Sequence, residues 1–144
     1  MKKILLLLLL ILIGCSKPDG PYKDYYLNEK VRGEGRFKND KVDGLFKIYY
    51  DEGQILKEFN YIDGRRDGIM KWYYRNGVIK ESGNFKKDIK HGLWKYYDKN
   101  GKLESEITYK DGNRDGLFKS YYDNGKIKEE GTYKDGILID SKEY

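Results

Sequence analysis

The segment from Gly116 to Gly136, GLFKSYYDNGKIKEEGTYKDG, is the pattern on which almost all of the chain after residue 20 is built. The glycine that opens it recurs every 24 residues, at Gly44, Gly68, Gly92 and Gly116, with no insertion between copies. A fixed period in this range is typical of stacked structural repeats. We therefore interpret the chain as five copies, at 20–43 (degenerate), 44–67, 68–91, 92–115 and 116–139, followed by a tail at 140–144.

Each copy contains two strand-like segments. In the copy quoted above, the first runs from Leu117 to Tyr122 and the second from Lys126 to Lys134, with Asn124-Gly125 between them. Asn-Gly predicts a two-residue type I′ turn, because both central residues of that turn need positive φ. The tetrad Gly112-Asn113-Arg114-Asp115 is interpreted as a four-residue loop that leads into the next copy. The predicted unit is a β-hairpin.

The predicted turn also sets which residues face each other across the hairpin. It places Lys119 opposite Glu130, and the same spacing pairs opposite charges in four of the five copies, whereas Lys71 meets Ser82. Such cross-strand pairs stabilise antiparallel strands by roughly 0.2–1 kcal/mol. The pattern predicts an all-β fold, an elongated single-layer antiparallel sheet of about ten strands made of five stacked hairpins.

Side chains alternate along each strand, so the sheet has two distinct faces. One face collects the predicted core stripe, which includes Phe46, Phe59, Met70, Phe85, Trp94 and Phe118. Asp98 interrupts this stripe, and we expect a local distortion there. Gly83 and Gly131 lie opposite Met70 and Phe118, so we expect those two side chains to cover them.

The opposite face carries a Lys-x-Tyr motif in every copy. Successive tyrosines are two strands apart, which gives a spacing of about 9.6 Å at ~4.8 Å per strand. We call this row the tyrosine ladder; its members are Tyr25, Tyr49, Tyr73, Tyr97 and Tyr121. The candidate binding residues are the ladder and the lysines beside it, Lys47, Lys71, Lys95 and Lys119. Two interpretations stay open, because such a row either shields the sheet or forms a surface for a partner.

The first fifteen residues, MKKILLLLLLILIGC, differ from the rest of the chain. Lys2 and Lys3 precede the apolar run Ile4–Ile13, which is about half the roughly twenty residues that a membrane-spanning helix needs. The tetrad Leu12-Ile13-Gly14-Cys15 resembles the bacterial lipobox, and Cys15 is the only cysteine in the chain. The segment is therefore interpreted as a targeting segment and not as a permanent span.

The lipobox resemblance implies a lipoprotein. Residues 1–14 would be the signal peptide, Cys15 the lipidation site that carries acyl chains such as palmitate, and 15–19 the lipidated N-terminus with a short linker. The expected location is the bacterial cell envelope, lipid-anchored to the outer membrane if there are two membranes and otherwise to the outer face of the cell membrane. Ser16, in the position after the cysteine, is similar to the pattern of lipoproteins that move to the outer membrane.

Composition and motifs argue against several functions. Charged residues make up 37% of the chain and the net charge is +5, but both signs are finely interspersed, so no nucleic-acid partner is expected. His91 is the only histidine and has no cysteine or serine partner fixed nearby. Arg66 and Arg114 sit within the acidic loops, where a cation site would not place a guanidinium. We expect no enzyme, no cofactor and no metal site.

The copies resemble the bacterial variant of the MORN repeat, in which G-x-W/F-K-x-Y-Y-x-x-G-x-x-x-x-E-G-x-Y-x-x-G recurs. The resemblance covers Gly20 to Ile139 and departs from the pattern at Pro21 and Phe59. It implies a β-hairpin for each unit. Proteins of this pattern are often assigned to the YwqK antitoxin family, which implies an antitoxin or immunity-like role.

Two functional hypotheses follow from different observations. The leading one is a membrane-anchored, non-catalytic scaffold that binds a protein partner at the envelope through the tyrosine ladder. The alternative is a cell-wall glycan-binding module, because Trp72 and Trp94 resemble the aromatic repeats of cell-wall-binding modules. An enzyme is the third and most distant possibility.

Overall fold

The computed structural model describes residues 17–144, so the predicted signal peptide and the lipidation site Cys15 lie outside the described residues. Every regular element in the described range is a β-strand. The strands are β1 (Gly20–Tyr25), β2 (Val31–Lys38), β3 (Lys41–Val42), β4 (Gly44–Tyr49), β5 (Ile55–Ile62), β6 (Arg65–Tyr73), β7 (Ile79–Lys86), β8 (Ile89–Tyr97), β9 (Leu103–Lys110), β10 (Asn113–Tyr121), β11 (Ile127–Lys134) and β12 (Ile137–Glu143). Residues 17–144 contain no helix long and apolar enough to cross a membrane.

The strands form one open antiparallel sheet in chain order, with the short β3 beside β2. This confirms the predicted all-β, single-layer architecture of stacked hairpins. The sheet has 12 strands, two more than the ten expected. The additional ones are β3 and β12, and the latter includes residues that sequence analysis treated as a tail.

The turn inside each copy is one residue longer than predicted. In the last copy, the amide of Gly125 donates to the carbonyl of Tyr122 (2.8 Å), and the amide of Tyr122 donates to the carbonyl of Lys126 (2.9 Å). Of the three enclosed residues only Gly125 has positive φ, at 78°, which describes a type I turn followed by a G1 bulge. The predicted type I′ turn at Asn124-Gly125 is therefore wrong. The physical reason is that the Asn124 side chain accepts a hydrogen bond from the Lys126 amide (3.0 Å) and stabilises the longer turn.

Type I′ turns occur instead at the second turn of a copy, which leads the chain toward the next copy. Both central residues have positive φ at Asp63-Gly64 (50° and 80°) and at Asp111-Gly112 (48° and 85°). Aspartate tolerates this left-handed conformation better than most residues. The predicted four-residue loop at 112–115 is therefore wrong, and β10 already begins at Asn113.

The predicted register is nevertheless correct over most of each hairpin. Lys119 lies opposite Glu130, as expected, whereas Tyr121 lies opposite Ile127. Lys128 is thus an extra residue on the second strand, and this bulge compensates for the longer turn. Two deviations of opposite sense cancel, so Gly116 to Ser120 and Glu129 to Tyr133 keep their predicted partners and faces.

The core consists of side chains that lie along one face of the sheet. Its buried members are Phe37, Phe59, Met70, Phe85, Trp94 and Phe118. The indole of Trp94 lies over Gly83, where an added Cβ would be 2.3 Å from the ring. Phe85 and Tyr109 pack edge-on against it, with ring centroids 5.2 Å and 6.1 Å away. Trp94 is therefore fully buried (0% exposed) in a sheet without a second layer.

The glycines of the core face are covered as predicted in one case and differently in another. A Cβ on Gly131 would lie 2.7 Å from the Phe118 ring, in agreement with the expectation. Gly83, however, is covered by Trp94 of the following copy and not by Met70. Although Met70 is its register partner, the large flat indole on the next strand extends over the same backbone.

A tyrosine at the end of the first strand of a copy binds the next copy. The hydroxyl of Tyr50 donates to the carbonyl of Tyr73, and that of Tyr74 to the carbonyl of Tyr97, both at 2.9 Å. Asp98 occupies this position in the fourth copy, and its carboxylate accepts hydrogen bonds from the amides of Asn100 and Lys102. The turn keeps the backbone hydrogen bonds of the other copies. The distortion expected at Asp98 is therefore wrong; what is lost is a hydrogen bond between copies.

Candidate binding face

A row of lysine and glutamate side chains crosses the sheet on the face opposite to the core. Each strand of the main path contributes one residue, and each residue is the register partner of the next. We call this the charge row; its members in order are Lys23, Glu34, Lys47, Glu58, Lys71, Ser82, Lys95, Glu106, Lys119, Glu130 and Lys142. The charges alternate in sign along the row, and Ser82 is its single uncharged member.

Each glutamate of the charge row forms an ion pair with the lysine of its own copy. The Nζ–Oε distances are 3.1 Å for Lys23–Glu34, 3.8 Å for Lys47–Glu58, 2.8 Å for Lys95–Glu106 and 3.2 Å for Lys119–Glu130. The lysine side chains remain 30–52% exposed. Ion pairs this close to water contribute little to stability, so their main effect is to favour one register.

The tyrosine ladder donates its hydroxyl groups to the same glutamates. Tyr49 donates to Glu34 (2.5 Å), Tyr73 to Glu58 (2.7 Å) and Tyr121 to Glu106 (2.7 Å). Each of these carboxylates is thus held by the lysine of its own copy and by the tyrosine of the next copy. The predicted ladder exists, and most of its hydroxyls are engaged within the sheet.

These contacts shift the protonation equilibria of both partners. Burial, and then the hydrogen bond to glutamate, raises the pKa of Tyr49, Tyr73 and Tyr121 to about 12. The hydrogen bond from Tyr49, followed by that from Lys23, holds the pKa of Glu34 below its ordinary value. For Glu106, the hydrogen bond from Lys95 comes first and that from Tyr121 second. Glu34 and Glu106 are therefore charged acceptors, and Tyr49 and Tyr121 are their neutral donors.

The third copy lacks this arrangement because Ser82 takes the place of glutamate. Ser82 lies directly between Lys71 and Lys95 on neighbouring strands. Within residues 17–144, Lys71 takes part in no ion pair and the Tyr97 hydroxyl makes no hydrogen bond. At the start of the array, Tyr25 has no preceding glutamate and is 56% exposed.

A second row on the same face is apolar and was missed by sequence analysis. Its members are exposed by 46–64% and lie two residues before each lysine of the charge row: Leu45, Ile69, Leu93 and Leu117. We call this the apolar row. The available signal was that the residue after the opening glycine is apolar in copies two to five although it faces away from the core.

The segment treated as a tail continues the candidate face. Lys142 lies opposite Glu130, and the Tyr144 hydroxyl donates to Glu130. The Tyr144 carbonyl in turn accepts from Tyr122 at 3.1 Å, as Tyr97 does from Tyr74. Lys142-Glu143-Tyr144 is therefore a sixth Lys-x-Tyr motif. It escaped detection because it comes one residue earlier than the 24-residue period predicts.

The residues considered for other chemistry lie elsewhere. Trp94 is fully buried on the core face, and Trp72 on the same face has Lys57 and Lys80 ammonium groups 4.2 Å from its ring centroid. His91 is an exposed residue of β8. Over the part of the chain that the structure describes, no group of three or more His, Cys, Asp or Glu side chains could hold a metal ion.

An open sheet of stacked hairpins with one repeated, uncovered face defines a β-repeat protein. The family model described as MORN repeat variant matches residues 18–39, 42–63, 66–87, 90–111 and 114–135, at the same 24-residue period. These units make up more than half of the chain, which therefore belongs to the MORN repeat variant family.

Two further comparisons add no functional information. None of the curated proteins matches the chain. Among solved structures, the crystal structure of TarM is similar with a TM-score of 0.42 and 11% identity, over 63% of this chain and 18% of the TarM chain. The chain thus corresponds to less than a fifth of TarM, and this likeness carries no argument about what the protein binds.

Proposed function

We propose that this protein is a non-catalytic scaffold that binds a protein partner through the face formed by the tyrosine ladder, the charge row and the apolar row. The observation that carries the proposal is the exposure of the apolar row, whose side chains remain 46–64% accessible beside a continuous line of charges. The hydrophobic effect favours covering such side chains, and the described residues supply no second layer to do so.

The composition of the face favours a protein as the partner. Protein interfaces combine apolar and tyrosine-rich centres with a polar rim, and here aliphatic, charged and tyrosine rows run side by side. A shallow groove lies between Leu45 and Ile69, with Glu58, Asn60 and Lys71 along its walls. Such a repeated, open surface suits an extended partner that contacts several copies at once.

The proposal includes a lipid anchor at Cys15. The linker at 16–19 is four residues long, and four residues reach at most about 14 Å when extended. The first hairpin would therefore lie close to the membrane, and the partner would be met at the cell envelope. An antitoxin or immunity-like role is the specific form of this proposal, in which the partner is a toxin. No observation on the candidate face favours the glycan-binding alternative, since both tryptophans lie on the core face.

A capture experiment with matched variants tests the scaffold. Residues 15–144, the chain without the proposed signal peptide and called the mature domain, should retain a protein from envelope extract. The triple variant Ile69→Ser, Leu93→Ser, Leu117→Ser should not retain that protein, because the substitutions remove apolar contact area. Leu27→Ser and Ile62→Ser, at exposed positions outside the apolar row, are the control. Equal retention by both sets would contradict the proposal. Retention of purified wall glycan with no protein would favour the alternative.

The lipid anchor has a separate test. Cys15→Ser should accumulate as unprocessed precursor and incorporate no labelled palmitate, because the acylated thiol is absent. Labelling that persists in this variant would refute the assignment.

A further inference from the structure

The charge row has one interruption, in the third copy. Everywhere else a lysine of one copy and a tyrosine of the next converge on a glutamate, as in Lys95–Glu106–Tyr121 with donor–acceptor distances of 2.8 Å and 2.7 Å. At the interruption the corresponding residues are Lys71 of the third copy and Tyr97 of the fourth, with Ser82 where the glutamate would be.

The donors around Ser82 are present, whereas the acceptor is missing. Lys71 has Glu58 as its register partner on the other side, but the Glu58 carboxylate binds Lys47 and accepts from Tyr73. The Lys71 ammonium nitrogen is more than 4 Å from the oxygens of that carboxylate. The Tyr97 hydroxyl likewise has no acceptor among residues 17–144.

The size of the gap follows from the neighbouring copies. Ser82 ends at Oγ, the position of the glutamate Cγ, so it lacks the carboxylate group that reaches lysine and tyrosine elsewhere in the row. The residue is only partly buried, so the space between Lys71 and Tyr97 opens to the candidate face. A carboxylate that entered from outside would accept one hydrogen bond from an ammonium group and one from a hydroxyl, both of which are strong when the acceptor is charged.

We infer that Lys71, Ser82 and Tyr97 form a binding site for a carboxylate, supplied by an aspartate or glutamate side chain of the protein partner. The partner's carboxylate takes the place that Glu34, Glu58, Glu106 and Glu130 occupy in the other copies. This inference rests on the proposed scaffold function and deepens it, because it gives one point of contact and the charge of the residue that docks there.

A planar carboxylate fits this site better than a phosphate group. The site offers two donors that elsewhere in the row bind the two oxygens of one carboxylate, whereas phosphate sites usually combine several cationic groups or backbone amides. Lys95, the other cation next to Ser82, is already paired with Glu106. A dianionic phosphate would therefore find one unpaired cation.

The site can be tested without knowing the partner. The probe is N-acetylglutamate amide, which carries a single side-chain carboxylate, and N-acetylglutamine amide is the neutral control. In a nuclear magnetic resonance titration of the mature domain, the Lys71 ε-methylene and Tyr97 ring signals should shift, whereas those of Lys47 and Tyr73 should not. Equal shifts at both places, or none, would overturn the inference. Stronger saturation by inorganic phosphate would overturn the assignment to a carboxylate.

Two variants provide matched controls for this titration. Ser82→Glu supplies an internal carboxylate, and we expect the shifts at Lys71 and Tyr97 to disappear while the rest of the spectrum is unchanged. Glu106→Ser creates the same gap one copy later, so the probe should then shift Lys95 and Tyr121. Shifts that persist in Ser82→Glu would contradict the site.

The captured partner separates this inference from the scaffold proposal. Ser82→Glu should weaken partner binding about tenfold, which corresponds to ~1.4 kcal/mol, because its carboxylate occupies the site and repels the partner's. Unchanged binding of the partner by Ser82→Glu would refute the site and leave the scaffold standing. If only the apolar-row variant loses the partner, the site is likewise refuted and the scaffold proposal stands. Absence of any partner would refute the scaffold, while the probe titration would still decide on the site.

Discussion

The two faces of the sheet are built from the same 24-residue unit but are stabilised in different ways. On the core face, the Trp94 indole lies over Gly83 and neighbouring aromatic rings pack edge-on against it, so that Trp94 is fully buried without a second layer. On the candidate binding face, charges and hydroxyls satisfy one another while the apolar row stays exposed. The difference indicates that the core face provides most of the stability and that the other face can be changed at little cost to folding.

The largest expected effect is on the core face. Trp94→Ala should lower the free energy of unfolding by about 3–5 kcal/mol, because it removes a fully buried aromatic side chain and leaves a cavity. Leu93, the preceding residue, lies on the binding face, and Leu93→Ala should change the free energy of unfolding by less than ~0.5 kcal/mol. Urea denaturation followed by circular dichroism compares the two. Similar losses for both variants would contradict the division of roles between the faces.

A smaller effect is expected at the glycine beneath that indole. Gly83→Ala would place a methyl group 2.3 Å from the Trp94 ring, and overpacking of this kind costs about 1–3 kcal/mol. Ser82→Ala, on the opposite face of the same strand, is the control and should be nearly neutral. Urea denaturation midpoints measure the stabilities of the two variants. If Gly83→Ala proves as stable as Ser82→Ala, the indole does not rest on that backbone.

The hydrogen bonds between copies should have an intermediate effect. Tyr74→Phe removes the bond from its hydroxyl to the Tyr97 carbonyl and should cost about 0.5–1.5 kcal/mol. The reverse change is available in the fourth copy. Asp98→Tyr should raise the denaturation midpoint, because a tyrosine at this position restores the hydrogen bond to the next copy. The turn should survive the change, since Asn100 can make the contact that Asn76 makes in the third copy, where its side chain accepts from the Val78 amide. A lower midpoint for Asp98→Tyr would indicate that the aspartate is needed in its turn.

The smallest effect concerns the binding face and appears at alkaline pH. Tyr49, Tyr73 and Tyr121 have pKa values raised from 10.0 to about 12, so the folded sheet favours their neutral form. Their contribution to stability is fully present below pH 10 and is lost as the pH rises through about 12. Because these side chains remain partly exposed, the loss should be modest. Phenolate absorbance should show a late-titrating group, and that group should shrink in Tyr121→Phe. Ionisation of all tyrosines near pH 10 would contradict the hydrogen bonds to glutamate.

Much of the fold could be predicted because the repeat imposes it. The period, the alternation of side chains and the Lys–Glu pairs are properties of the sequence, and they identified the single sheet, its faces and most of its register. The turn types could not be assigned in this way. Asn-Gly and Asp-Gly are both compatible with positive φ, and only the structure shows that the Asn124 side chain stabilises a three-residue turn while Asp111-Gly112 forms the type I′ turn.

The candidate site was predictable in its membership and less so in its contacts. The tyrosine ladder follows from counting residues, but contacts between one copy and the next, such as Tyr121 with Glu106, depend on how neighbouring hairpins are placed. Alternation places Leu93 on the face opposite to Trp94, but only the structure shows that nothing in the described residues covers it and that it stays 46% exposed. The binding role of these residues and the lipid at Cys15 remain proposals.

The position of Ser82 within the array determines where along the sheet an acidic partner residue would dock. Because the units are equivalent, substitutions can move the docking point from one copy to another. Combining Ser82→Glu with Glu106→Ser would move it by two strands, or about 9.6 Å at ~4.8 Å per strand, toward the C-terminal edge. A partner that also contacts other copies could then not make those contacts and fill the carboxylate site at the same time. The order of glutamate and serine along the charge row would therefore determine which partner binds.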